Sequence, residues 1–366
     1  MMGLSVKITG IFTVNPSLKL SQSQSLKILK RERKLSRRET ILYGRFLSDE
    51  GIKTRTFAVR KVRDFFVQDQ DRLIQRYKKE AVALSVASLK GCLSQSCLRP
   101  DQIDALMAVS CTGYLCPGLS SYIVEGARLN PEIHAEDMVG MGCGAALPAI
   151  RSAYHFMRSR PGSHAAVLAT EICSAALQWD DDPEMILTNS IFGDGSAACL
   201  LSDDPSLKGL GIIDFESRII PKYHDKLCFT VKNSMLRNVI KPDVPKIAAK
   251  LVKEIVSELL LRNKISRGKI HFWAVHPGGR KVLDAIESAL KLNPSALSDA
   301  RQVMADYGNM SSPTILYVLK LMIQGKRLKD KDYVVASAFG AGFSGYAVLL
   351  QYEDGRAHFK QIKESK

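Results

Sequence analysis

Short apolar runs alternate along the chain with longer stretches in which apolar residues return every three or four positions. The runs are DALMAVS, AAVLATE, SAACLLS, HFWAVHPGG, YVVASAFG and YAVLLQY; the helical spacing is clearest in PKIAAKLVKEIVSELLLRN (245–263) and RKVLDAIESALKL (280–292). Strands separated in this way by helices predict an α/β protein with largely parallel pairing.

The order of these elements repeats. A strand ends in AVSCTG at Cys111, and 32 residues later the chain reads GCGAALPAI around Cys143. A second strand ends in AVHPGG at His276, and 33 residues later comes GNMSSPTIL around Asn309. Each small-residue helix start is followed by a strand, and each half closes on a Gly-rich turn into a last strand, FGDGSAACLL or FGAGFSGYAVLL. The pattern predicts one unit used twice, over 1–208 and 209–366. If the halves pack about a pseudo-twofold axis, Cys143, His276 and Asn309 converge at equivalent strand ends.

At 366 residues and 46% apolar content the chain is large enough for one large or two medium cores. No run approaches the ~20 apolar residues of a membrane span, and the N-terminus lacks a signal-peptide pattern. The eight cysteines form no CxxC pair and no Cys/His ligand spacing, so reduced thiols, no metal and a cytoplasmic location are expected. The net charge of +15 is partly concentrated in KILKRERKLSRRE, residues 27–39. That segment reads first as a solvated helix face, then as a contact for phosphorylated ligands such as coenzyme A or an acyl carrier protein. A nucleic-acid or membrane patch fits less well, because no aromatics are interleaved and no nucleic-acid motif is present.

Cys143 sits between glycines at a helix start, where a dipole end or an imidazolium lowers a thiol pKa from ~8.5 to roughly 4–7. Pro148 is tolerated in that first turn. The glycines are expected to clear space for an incoming acyl group. His276, followed by Pro and two glycines, is expected at a loop mouth and not within a packed face. Singly, each residue also reads as structural: a buried thiol, a hydrogen-bonding histidine, an N-cap asparagine. Together they make a nucleophile with two hydrogen-bonding partners.

GMGCGAALPAI, IFGDGSAACLL, FWAVHPGGRKVLDAIESAL, YGNMSSPTILYVL and AFGAGFSGYAVLL resemble the type III polyketide synthases, chalcone synthase-like members of the thiolase superfamily. The resemblance runs from about residue 50 to 350. It implies a five-layered αβαβα fold with two duplicated halves, and a homodimer. It further implies that Cys143 takes a starter acyl group from coenzyme A, and that His276 holds the thiolate as an ion pair. With Asn309, His276 then donates hydrogen bonds to the malonyl thioester as CO2 leaves and an enolate forms. Phe192 matches an aromatic gate, Ser311 lies beside Asn309 in the same motif, and Arg45 falls near a contact to coenzyme A phosphates. Malonyl-CoA and an acyl-CoA starter are the implied substrates, with no resident cofactor.

Departures from the plant-like pattern bear on the substrate. Asn238 stands where a second gate Phe is expected, which opens the tunnel. Cys173 and Ala176 replace threonines, and Cys116 occupies the position that reaches into the partner's cavity; these make the pocket less polar. Ala338 and Ala341 replace Gly and Pro in the scaffold AFGAG. A bacterial-type enzyme with an aliphatic starter fits best, making a small aromatic or pyrone product. The rivals are a ketoacyl-acyl carrier protein synthase III-like enzyme, which HPGG disfavours because that branch has Gln-Ala-Asn after the histidine, and an inactive scaffold of the same fold.

Overall fold

The computed structural model describes residues 5–232 and 234–355. Its first part runs β1 (Lys7–Val14), β2 (Leu18–Ser21), α1 (Gln22–Glu32), α2 (Arg37–Leu47), β3 (Thr54–Phe57), α3 (Gln70–Ser96), β4 (Ala105–Val109), α4 (Leu119–Ala127), β5 (His134–Met138), α5 (Ala146–Ser159), β6 (His164–Glu171), α6 (Pro183–Ile191) and β7 (Gly195–Ser202). The second runs β8 (Gly209–Ile219), β9 (Leu227–Lys232), β10 (Met235–Ile240), α7 (Val244–Arg262), β11 (Ile270–Val275), α8 (Arg280–Leu290), α9 (Ser298–Tyr307), α10 (Thr314–Gln324), β12 (Tyr333–Gly340) and β13 (Ser344–Glu353).

Nine strands are joined in the order β11-β12-β13-β8-β1-β7-β6-β4-β5, with β2–β3 and β9–β10 as separate two-stranded ribbons. The duplication is visible in the strand senses. β4–β6 is parallel while β6–β7 and β7–β1 are antiparallel; β11–β12, β12–β13 and β13–β8 repeat the series. The seam between the two sets is narrow, with Lys7 and Ile8 of β1 opposite Gly211 and Leu210 of β8.

Residue polarity assigns the helices to layers. In α10 the consecutive residues Ile315, Leu316, Tyr317, Val318 and Leu319 are all buried, as an interior helix requires. α10 touches β11 and β12 but also β1 and β7, and α5 touches β4 and β6 but also β13, so both lie between the halves. α7 buries Ile247, Leu251, Ile255 and Leu259 at four-residue spacing while Lys246, Lys250 and Lys253 face water. It covers β8, β12 and β13 from outside, as α3 covers β1, β6 and β7. The result is the expected αβαβα stack. Strands β4, β6, β7 and most of β12 are buried on both faces, which is why they read as unbroken apolar runs. The polar edge strand β5, HAEDM, carries no such signal and was not among the expected runs. Among the described residues, no helix is long and apolar enough to cross a membrane.

Candidate active site

Cys143 lies in a 3-10 turn, Gly142–Gly144, that leads directly into α5. Gly142 adopts a φ of +63°, which favours glycine, and a Cβ there would lie 3.0 Å from the Ala341 backbone nitrogen. A Cβ on Gly144 would come within 2.8 Å of the Tyr346 ring. Gly142 lines the cavity beside Cys143, and the two glycines have a second role that the sequence did not suggest. They let the nucleophile's turn press against the β12–β13 turn of the other half.

Asn309 is joined to the other half by backbone on both sides: its N–H donates to Ile191 O (2.9 Å), and Gly193 N–H donates to Asn309 O (3.0 Å). This short bridge ties Asn309 to Phe192. Asn309 Nδ2 donates to Gly278 O at 3.3 Å, and its Oδ1 accepts from Ser311 N at 2.8 Å. The side chains of Ser311 and Asn309 lie close enough to the Cys143 thiol to favour its ionised form.

His276 follows β11 directly, its N–H donating to Ser337 O at 2.9 Å. It is not at a loop mouth. Its ring is wholly buried and meets the Phe339 ring edge-on, with centroids 5.4 Å apart. The Pro-Gly-Gly turn folds back over it, Gly278 N–H donating to His276 O at 3.0 Å. A Cβ on Gly278 would touch Phe339, so only glycine lets the turn close this tightly. Neither ring nitrogen of His276 has a hydrogen-bond partner. Two such nitrogens in a buried ring leave hydrogen-bonding capacity unused.

Beneath the thiol lies Glu171, fully buried at the end of β6. Its Oε2 accepts from Cys111 N, Thr112 N and Thr112 Oγ1 at 2.8–3.0 Å, and its Oε1 accepts from Ser312 Oγ at 2.6 Å and Cys111 Sγ at 3.2 Å. Burial pushes Cys143 up to about 11, reinforced by the Glu171 charge and opposed by Ser311 and Asn309. Burial alone pushes His276 down to about 3. Both shifts favour an uncharged thiol–imidazole pair over the expected thiolate–imidazolium pair, because desolvation penalises either ion.

Cys143, Cys173 and Phe192 pack together under Ile191 and Ile240. They wall a cavity that also takes in Ala176, Ser311 and Asn238. Two residues that the sequence reading passed over belong to it. Cys111 lines the cavity from the end of β4, and Phe229 does so from β9, directly opposite Asn238 of β10. The apolar alternation of LCFTVK was the available signal for Phe229. Phe229 thus puts an aromatic ring on the wall beside Asn238. The buried Arg55 guanidinium holds the gate's backbone, donating to Phe192 O at 2.7 Å and Asn189 O at 2.8 Å. Cys116 and Arg45 are exposed and stand outside this wall. Among the described residues no group of three or more His, Cys, Asp or Glu is placed to hold a metal.

Residues 10–216 match the family model of FAE1/type III polyketide synthase-like proteins, and residues 214–352 match the C-terminal domain of chalcone and stilbene synthases. The chain is 31% identical over 288 residues to a 3,5-dihydroxyphenylacetyl-CoA synthase of Amycolatopsis orientalis, covering 78% of each chain. It is 28% identical over 287 residues to the alpha-pyrone synthesis polyketide synthase-like Pks18 of Mycobacterium tuberculosis, covering 77% of this chain and 73% of that one. The fold matches 1,3,6,8-tetrahydroxynaphthalene synthase of Streptomyces coelicolor A3(2) with a TM-score of 0.89 at 23% identity, over 95% of this chain and 99% of that chain. PKS-I of the brown alga Ectocarpus siliculosus matches with a TM-score of 0.88 at 24% identity, over 96% and 99%. With both halves matched and the thiol, imidazole and carboxamide set on loops that interlock across them, the chain belongs to the type III polyketide synthase family.

Proposed function

We propose that Cys143 carries the acyl chain while His276 and Asn309 act on the malonyl thioester. The Cys143 thiol passes its proton to His276 as its sulfur attacks the acyl-CoA carbonyl. The bond to coenzyme A breaks, and that proton leaves with the coenzyme A thiolate. Malonyl-CoA then loses CO2, its C–C bonding pair remaining as an enolate whose oxygen accepts hydrogen bonds from His276 and Asn309 Nδ2. The enolate carbon attacks the acyl-Cys143 carbonyl, a C–C bond forms, and the Cys143 thiolate leaves. Reloading of the lengthened chain repeats the cycle until an aromatic ring or pyrone closes.

The observation that carries this reading is that Asn309 donates to Gly278 O in the His276 loop while its side chain favours the ionised form of the Cys143 thiol. The His276 ring, with no partner on either nitrogen, supplies a further donor in this proposal. Phe192 walls the cavity where apolar surroundings favour release of a carboxylate as neutral CO2. Cys173, Ala176, Ser311 and Asn238 shape the space for the chain, and an aliphatic acyl starter suits their low polarity. The steps balance in electrons without a redox partner, so coenzyme A thioesters are substrates and no cofactor is needed.

The same reading assigns 1–208 to the nucleophile-bearing half and 209–366 to the half carrying His276 and Asn309. It takes the protein to work as a homodimer in the cytoplasm. The exposed positions of Cys116 and Tyr114, and the open edge of β5 with Val139 beyond it, support a second copy there. Arg45 is assigned to the coenzyme A phosphates from its exposed place at the end of α2.

The test is mass spectrometry of products from malonyl-CoA and a panel of acyl-CoA starters. More than one extension per starter is expected, with none in Cys143→Ala. In His276→Ala, malonyl-CoA decarboxylation should fall about 10²–10³-fold, the usual cost of losing one oxyanion donor; an unchanged rate would refute its role.

A further inference from the structure

We propose that the paired helices α1 and α2 form a docking surface for an acidic, phosphopantetheine-bearing acyl carrier protein that delivers the starter. This rests on the condensing role proposed above and adds the donor to it.

The two helices are rigid and adjacent. Each begins with a reciprocal cap, Ser21 with Gln24 and Ser36 with Glu39, and they close on a shared core of Leu29, Tyr43 and Leu47. Their outer faces are cationic. Lys27, Lys30 and Arg31 recur at helical spacing on α1, Lys34 follows, and α2 continues with Arg37 and Arg38. Arg31 pairs with its neighbour Glu32. Lys27, Lys30, Lys34, Arg37 and Arg38 are exposed and make no ion pair among the described residues. In their midst Ile41 is 61% exposed.

Several arginines elsewhere on the surface are neutralised by carboxylates. Arg218 pairs with Glu254 and Glu258, Arg262 with Asp214 and Glu216, and Arg301 with Asp284 and Glu287. On α1–α2, by contrast, five exposed cations without an ion pair fall between residues 27 and 38, on two adjoining helices and the link between them. The patch also adjoins the reaction cavity. Tyr43 of α2 accepts a hydrogen bond from Asn189 Nδ2, and Asn189 lines the cavity. Just beyond α2, Asp49 holds Arg280, the first residue after the His276 turn.

The form of the patch selects among anionic partners. Two eleven-residue helices, each about 16 Å long, present more charge over a wider area than one coenzyme A nucleotide occupies. A membrane-seated helix needs an apolar face, whereas α1 and α2 turn theirs inward and expose Ile41 alone. No exposed aromatic stands among the cations to stack a base. A small folded partner with an acidic helix and an apolar spot matches: charge steers the encounter, and Ile41 supplies a central contact.

The experiment compares a bacterial acyl carrier protein loaded with an octanoyl group against octanoyl-CoA as starter donor, using the full-length protein. The Lys30→Glu/Lys34→Glu/Arg38→Glu variant is expected to raise KM for octanoyl-carrier protein at least tenfold while leaving kcat/KM for octanoyl-CoA within twofold. Ile41→Asn should act in the same direction with no change of net charge. No transfer from carrier protein to Cys143 in the unaltered enzyme would overturn the proposal. So would an equal KM rise for both donors, which assigns the patch to coenzyme A phosphates. Loss of binding to vesicles containing 30% phosphatidylglycerol, with the carrier KM unchanged, assigns it to a membrane and also overturns it. If octanoyl-CoA itself is never extended, the condensing role fails; if it is extended and carrier protein is not used, only the docking surface does.

Discussion

Phe229 faces Asn238 across the β9–β10 ladder, and both side chains line the cavity above Cys143. An aromatic ring therefore stands on the cavity wall from the strand next to Asn238. Phe229→Ala should widen the cavity and shift preference toward longer acyl starters. The ratio of kcat/KM for dodecanoyl-CoA over hexanoyl-CoA should rise about tenfold, the scale on which hydrophobic pockets discriminate by size. Competition assays with the two thioesters measure it, and an unchanged ratio would remove Phe229 from the wall that sets chain length.

Gly340 lies against the nucleophile's turn. A Cβ there would collide with Met141 O and stand 2.8 Å from Gly144 N, and neither backbone atom can rotate away. Gly340→Ala should cost about 1–3 kcal/mol by overpacking. It should also lower turnover more than stability alone explains, because the displaced segment carries Cys143. Urea unfolding alongside steady-state kinetics separates the two effects.

The raised Cys143 pKa has a pH signature. Because the folded value, about 11, lies above the ordinary thiol value of 9.0, its stability contribution is complete below that ordinary value and is lost as pH rises through the folded one. Thiolate, and with it alkylation, grows over the same window. In the protein without substrate, the iodoacetamide rate at Cys143 should climb about tenfold per pH unit from pH 7 toward 10. A plateau already reached at pH 7 would show a preformed thiolate–imidazolium pair.

His276 gives the opposite slope. With its folded value near 3, below the usual 6.5, its contribution is complete above pH 6.5 and is lost as pH falls toward 3. His276→Gln should flatten the acid side of a denaturation-versus-pH profile across that window, whereas an identical profile would show that the ring titrates normally.

Asp194, the aspartate of IFGDG, is fully buried and accepts from Ala58 N, Ser174 N and Ser174 Oγ at 2.6–2.8 Å, with the buried Arg55 and Arg76 charges nearby. Asp194→Ala leaves these three donors without their acceptor, each at a cost of about 1–3 kcal/mol, so a loss of about 3 kcal/mol or more is expected by chemical denaturation. A loss below 1 kcal/mol would mean that water replaces the carboxylate.

The duplication was legible because it is a matter of order: strand, loop, helix start and Gly-rich turn recur at nearly equal spacing, and spacing is a property of the chain. Cys143, His276 and Asn309 stood out for the same reason. Phe229, Cys111 and Glu171 did not. Each is an unremarkable residue in its own segment and becomes part of the site only through what lies across a ladder or at the next strand end. Arg45 and Cys116 were selected by resemblance and stand at the surface, outside the cavity wall formed by this chain.

By itself, then, the order of residues determined the α/β class, the repeated unit and the three chemical groups, since periodicity and punctuation are written locally. The tertiary structure alone decided their state. Only when the two halves close do the glycines around Cys143 meet the β12–β13 turn, does Phe339 cover His276, and does the loss of water drive thiol and imidazole alike toward their neutral forms. Desolvation depends on what is brought near from elsewhere in the chain, and no local pattern records it.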